Sequence, residues 1–416
     1  MKRDGKIADS GLPVFDIRNF GASEVATPSV NAAAIQAALE AAADAGGGTL
    51  IVPPGTWYTG TIRMRSHVEL RIEKGAVLKG SIRQEDYNAN DEFPENFWST
   101  DEEWSGGHLI LGYKVENVAI TGDGIIDGSG PAFFGECDED SRFPHYKYGL
   151  KLHPIDRRWF RPGPMVAFFL SKDIRLKGVT LANPPAWTAH FRCCDGLDIR
   201  GVTIDADRTI ANSDGFSIDC TRNVTVGDCA IKTGDDAFAI RASCRIPGHA
   251  ESHPCENIRI QNCDVWSCCY GIRLGVGTGT VRNVVVEGCR FHESAQGINF
   301  STSWTPGAKG VYIGNIRVSR CEILECACPV GMFVCSEDWR ICDVTFEDCR
   351  FESLKPISLW GKAGRMPERI TFRNCSRKCL ERLKVRHHRG WSDQKDARFF
   401  DDNNCVVSLV VENCRP

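Results

Sequence analysis

Nowhere in its 416 residues does this chain carry an apolar run approaching the ~20 residues that a membrane-spanning helix needs. A positive surplus is also missing: 50 Lys and Arg stand against 54 Asp and Glu, a formal net charge of −4, which leaves no electrostatic footprint for nucleic acid. The opening Met1-Lys-Arg-Asp-Gly-Lys-Ile-Ala-Asp is basic but has no apolar core. No secretory signal is therefore visible, and a cytoplasmic location is expected, or secretion if the chain given is a trimmed form. Paired metal motifs are lacking too. Cys326-Ala-Cys328 and the doublets Cys193-Cys194 and Cys268-Cys269 have no second Cys-x-x-Cys or His pair at finger spacing, so neither a metal nor another cofactor is expected.

Helix-period patterning is scarce, and what replaces it is a repeat. The pattern Asn/Asp-apolar-x-apolar-x-x-Cys/Val-x-apolar starts at Asn117, Asp173, Gly196, Asn223, Asn257, Asn283, Asn315 and Asp343, and more loosely at Arg369. Each copy alternates apolar and polar residues, as in Asn283-Val-Val-Val-Glu-Gly-Cys289-Arg-Phe291, which is the period of a strand with one buried face. Copies recur every ~25–30 residues, and none can bury its apolar face alone, so they must stack as coils. The fold expected is an all-β single-domain parallel β-helix, with one Ala-rich helix near Ala33 to Asp44, ended by Gly46-Gly47-Gly48, capping the first coil and hiding its strand edge. Solenoids grow coil by coil, so 1–416 is expected to be one domain: 1–14 an extension, 15–60 the cap and first coil, 61–376 the coils and 377–416 a C-terminal segment.

Cysteine is abundant, at 21 residues. Cys229, Cys263, Cys289, Cys321, Cys349 and Cys375 share one place in the repeat, so they should stack inward about 4.8 Å apart as small apolar groups. The total is odd, and many unpaired thiols fit a reducing compartment better than an oxidising one.

Two consecutive repeats hold three acids. Asn212-Ser213-Asp214-Gly215 lies in the coil after Gly196, and Gly234-Asp235-Asp236 in the coil after Asn223, so stacking brings them together. Inverting cleavage of a sugar bond needs a protonated carboxyl and a water-activating base about 6.5–9.5 Å apart, a gap that one rung can supply. Asp235 and Asp236 would point to opposite faces of a regular strand, but Gly234 permits a turn or bulge that aims both outward. Crowded acids should also raise one pKa. Taken singly, Asp-Gly and Asn-Ser-Asp-Gly are turn sequences.

Phe15-Asp-Ile-Arg-Asn-Phe-Gly-Ala22, Ala34-Ile-Gln36, Gly46-Gly-Gly-Thr-Leu-Ile-Val-Pro-Pro-Gly-Thr56, Gly122-Asp-Gly-Ile-Ile-Asp-Gly128 and the two acidic motifs resemble, in this order, the polygalacturonase family, glycoside hydrolase family twenty-eight. The resemblance implies a right-handed parallel β-helix and inverting hydrolysis of pectin, with Asp235 as general acid and Asp214 and Asp236 holding the water. It also implies an oligosaccharide or polysaccharide partner. Trp187-Thr-Ala-His190 is similar to the family's Trp-x-x-His, which places His190 near sugar or water, with a buried, satisfied histidine as the alternative, and Arg241 falls where members often carry Lys near a sugar substituent. Trp159 and Trp304 offer either stacking faces for a sugar ring or core packing.

The chain departs from the family at two places. Where members have Gly-His-Gly it has Cys269-Tyr270-Gly271, and where they have Arg-Ile-Lys it has Asn299-Phe300-Ser301. Tyr270 and Asn299 are thus candidate substrate contacts without the family's charges. Arg273 shares the phase of Asn299 when both are counted from Asn257 and Asn283, so it is the expected replacement cation, with a solvent salt bridge as the alternative. The acidic stretch from Glu85 to Glu103 either lines the cleft, where it would repel a long polyanion, or is a solvated edge, and the aromatic insertion from Phe133 to Arg161 is of the kind that closes a groove and favours attack on chain ends. Two other classes compete: a non-catalytic carbohydrate-binding β-helix, and a polysaccharide lyase using the three acids as calcium ligands.

Overall fold

A computed structural model describes residues 12–88, 92, 107–134, 161–244, 253–301, 310–334, 338–361, 365–383 and 395–415. The repeat copies become strands of one sheet. Among the described residues, three parallel sheets of 13, 11 and 10 strands run the length of a right-handed β-helix, the chain visiting each sheet once per coil. One such coil is Arg222–Gly227, Ala230–Thr233 and Phe238–Ala242.

Period-2 alternation builds the core. On the 13-stranded sheet the register aligns Val226, Ile260, Val286, Val318, Phe346 and Phe372. All six are at most 1% exposed, and the last two rings stack with centroids 4.8 Å apart. The first residue of each repeat does a different job. Asn117, Asp173, Asn223, Asn257, Asn283, Asn315, Asp343 and Arg369 all have φ between 50° and 59°, the left-handed region that Asn and Asp tolerate best. Their amides link the coils: Asn257 donates to Asn223 at 3.2 Å, Asn283 to Asn257 at 3.0 Å and Asn315 to Asn283 at 2.8 Å.

A second left-handed corner, at Asp228, Asn262, Gly288, Arg320, Asp348 and Asn374, ends each of these strands and turns the next residue inward. That residue is the repeat cysteine, 1–2% exposed at Cys229, Cys263, Cys289, Cys321, Cys349 and Cys375. Every described cysteine is a free thiol. Titration of the denatured protein without reductant should therefore find most of the 21 cysteines reactive; finding most of them paired would overturn the ladder as a reduced core.

The cap helix spans Pro28–Asp44, beginning before the alanine run because Thr27 is extended and Pro28 takes the first turn, where no amide hydrogen is needed. Its polar side chains close the strand edge. Asn31 donates to the Tyr58 carbonyl at 2.9 Å, while Gln36 accepts from the Arg63 amide at 2.9 Å and donates to its carbonyl at 3.2 Å. At the other end Leu409–Glu412 adds a rung to the 13-stranded sheet, so pairing runs on into the segment after residue 376. No helix among the described residues is long and apolar enough to cross a membrane.

Candidate active site

The three acids sit where the chain enters the 10-stranded sheet on consecutive coils. Backbone bonds stack these entrances directly: Thr188 N donates to Asp214 O at 2.8 Å, Gly215 N to Asp236 O at 2.8 Å and Ala237 N to Tyr270 O at 2.9 Å. Ser213 joins two turns by its hydroxyl, which accepts from Gly234 N at 3.0 Å and donates to Ile210 O at 2.9 Å. The chain does bend at Gly234-Asp235, as expected, and glycine is required there for closeness and not for a left-handed φ. A Cβ at this position would lie 2.5 Å from both Ile210 O and Ser213 Oγ, and its φ is not in the left-handed range.

Asp235 is held by its backbone. Thr233 and Ser267 hydroxyls both donate to its carbonyl, at 2.6 and 2.7 Å, and its Oδ1 accepts from Asp236 N at 3.1 Å. Exposure is 4% for Asp214, 8% for Asp235 and zero for Asp236. Burial pushes the Asp236 carboxyl up to about 6; Arg273 opposes the rise and the charge of Asp235 adds to it.

Arg273 is the principal correction to the sequence reading. It does share a face and register with Asn299, but its Nη1 donates to Asp236 Oδ2 at 2.7 Å, so it is bound to the acid cluster and not held out as a substrate cation or a solvent salt bridge. Cys269 meets the acids directly. One ligand atom from each of Asp235, Asp236 and Cys269 falls within 4.8 Å of the others. These donors do not suit calcium, which takes six to eight oxygens: one is a thiol, and a guanidinium already occupies Asp236 Oδ2. Tyr270 is 5% exposed, and Asn299, 1% exposed, donates to Gln296.

Beside this cluster the outward positions of the 10-stranded sheet form two rows. One runs Ala167, His190, Ser217, Ala239, Arg273, Asn299; the other runs Phe169, Arg192, Asp219, Arg241. His190 and Arg241, expected at the sugar, are enclosed at 2% and 3% exposure. The His190 ring stands edge-on to Trp187, and the Arg241 guanidinium lies 4.5 Å from the centre of the same indole. Burial lowers the His190 imidazole to about 3, so it is neutral at physiological pH.

Asp219 was not singled out by its sequence, though it anchors this group. It is fully buried, accepts from Ser243 N at 2.8 Å, Ser243 Oγ at 2.5 Å and Arg192 Nε at 3.3 Å, and lies 3.8 Å from His190 Nε2. Burial alone would raise its pKa, but His190, Arg192 and Arg241 together hold the carboxyl far below its ordinary range. The signal was present, since positions 190, 192, 217, 219 and 241 are the polar members of otherwise apolar alternating strands.

Trp304 and Trp159, most of 85–104 and of 133–161, and residues 384–394 of the C-terminal segment lie outside the described residues. Arg161, at the end of the insertion, donates to Ala211 O at 3.0 Å and Asn212 Oδ1 at 3.3 Å, on the loop that carries Asp214.

The family described as Glycosyl hydrolases family 28 matches residues 49–376. A probable polygalacturonase of Vitis vinifera is 29% identical over 280 residues, 66% of this chain and 52% of that protein, so the chain spans about half its length. An endo-polygalacturonase of Pectobacterium parmentieri is 26% identical over 327 residues, 76% of each chain. In fold, the chain is similar to the hyperthermoactive exopolygalacturonase of Thermotoga maritima, with a TM-score of 0.67 at 20% identity, covering 96% of this chain and 92% of that one.

Proposed function

This chain belongs to glycosyl hydrolase family 28, and from that premise we propose that it cleaves short pectin-related oligosaccharides from an end, with inversion at the anomeric carbon. The observation that carries the reading is the stacking of Asp214 upon Asp236 by the Gly215–Asp236 backbone bond, with Asp235 one residue away. In this reading Asp235 protonates the leaving oxygen, while Asp236 and Asp214 hold the water on the other side of the bond and accept its proton.

Attack at chain ends is supported by the Phe133 to Arg161 insertion, whose last residue is tied to the Asp214 loop. Short substrates are supported by the charges. The family's cations are absent at 269–270 and 299–301, and Arg273 is engaged by Asp236, so a row of galacturonate carboxylates meets few partners. The stacked thiols support action in a reducing compartment, on oligosaccharides already taken up.

The test is a panel holding trigalacturonate, polygalacturonate and mixed oligosaccharides with neutral sugars, followed by NMR of the first-formed product. Inverted configuration, release of single terminal sugars and slow attack on polygalacturonate are expected. Retained configuration would exclude the mechanism, and rapid random cleavage of polygalacturonate would exclude the substrate. Binding without turnover of any member would leave the carbohydrate-binding alternative standing in place of the hydrolase.

A further inference from the structure

Asp236 is a fully buried carboxylate with its two oxygens in different situations. Oδ2 accepts from Arg273 Nη1 at 2.7 Å, whereas Oδ1 has no hydrogen-bonding partner among the described residues. The guanidinium reaches it across a strand. Arg273 stands beside Ala239 in the register of Phe238–Ala242 and Tyr270–Gly277, and Ala239, like Ala167 in the same row, carries only a Cβ, where its two neighbours carry Ser217 and Arg273 itself. A longer side chain at 239 would stand in the path from Arg273 back to the Asp235-Asp236 turn.

Resting on the family reading above, we propose that Arg273 is a positioning residue for Asp236: it immobilises Oδ2, keeps the carboxylate ionised beside Asp235, and presents Oδ1 alone to the attacking water. The step balances simply. The water oxygen bonds to the anomeric carbon as the glycosidic carbon–oxygen bond breaks, one water proton goes to Oδ1, and the leaving oxygen takes the proton of Asp235. The groups facing Asp236 are Asp235 on its own turn, Asp214 on the turn below, Cys269 and Arg273 on the coil above, and Arg208 more remotely through its 3.3 Å bond to Cys268. Arg273 is the cation that touches the carboxylate, and it opposes both burial and the charge of Asp235.

Arg273→Gln and Arg273→Lys separate this role from substrate binding. With trigalacturonate, or whichever panel member the wild type cuts, Arg273→Gln should move the acidic limb of the kcat profile upward by about one pH unit or more, a ~10-fold loss of kcat on that limb. KM should stay within about twofold, as expected for a group that does not touch substrate. Arg273→Lys, which keeps the charge and the fold, should restore most of the limb.

A raised KM with an unmoved limb would overturn the proposal and return Arg273 to the substrate. If the wild type cuts nothing, the family reading fails separately, and the inference is still judged by NMR titration of 13C-carboxyl aspartate, with Asp236→Asn identifying the signal. The Asp236 midpoint should rise in Arg273→Gln; an unchanged midpoint defeats the proposal whatever the activity.

Discussion

Asp235→Asn should lower kcat by about 10²–10⁴-fold while leaving the melting temperature near that of the wild type. The two expectations come from the same geometry. The Thr233 and Ser267 hydroxyls grip the Asp235 carbonyl, and the Asp236 amide is held by a side-chain oxygen that Asn also possesses, so the turn survives the change. What disappears is the transferable proton. A substrate with an acidic leaving group, such as a nitrophenyl glycoside, needs that proton less, and the loss should shrink on it by at least tenfold. Asp214→Asn and Asp236→Asn act on the water instead and should gain nothing from the better leaving group. Equal losses on both substrates for Asp235→Asn would remove it from the role of acid.

The second large effect concerns stability. Asp219→Ala should cost about 3–5 kcal/mol in urea unfolding at pH 7, because it deletes a fully buried carboxylate lying between Arg192 and Arg241 on adjacent strands. Asp219→Asn keeps the volume and an acceptor for Ser243, so it should lose less. The pH dependence has a fixed sign. The folded pKa of Asp219 is depressed, so its contribution is fully present above the unfolded value of ~4 and fades as pH falls towards the folded value. The gap between wild type and Asp219→Asn should be flat from about pH 5 to 7 and close in acid. A gap that instead widens in acid would mean that Asp219 is not the ionised partner of these arginines.

The fold was legible because the repeat is written in residues with strong local preferences. An Asn or Asp at the head of each copy marks a left-handed corner, and alternation after it marks a strand with one buried face. The start of the cap helix was less so, since Pro28-Ser-Val-Asn31 lacks the alanine signature and is fixed by Pro28 and by the bond from Asn31 to the strand edge. At the site, the grouping of Asp214, Asp235 and Asp236 was readable from position alone. Arg273 was placed correctly by phase but given the wrong partner, because phase tells which face a side chain leaves from and not how far along that face it lies down. Asp219 escaped for a related reason: alternation puts it outside the core, and sequence does not say that the outside of this sheet is itself enclosed.

The asparagine links between coils have a meaning for stereochemistry. Between the two coils that carry the acids the same link runs from Asn223, which donates to Asp195 Oδ1 at 2.7 Å, and it sets Asp235 and Asp236 one rung, ~4.8 Å, above Asp214. Inversion wants about 6.5–9.5 Å between carboxyl groups and retention about 5–5.5 Å. A loop enzyme can drift between those gaps by small backbone shifts, but a laddered solenoid has no intermediate rungs. One rung alone falls short of the inverting gap, so the rest of the distance comes from the side chains, and moving an acid to another coil or changing the length of its side chain is how such a scaffold alters that gap.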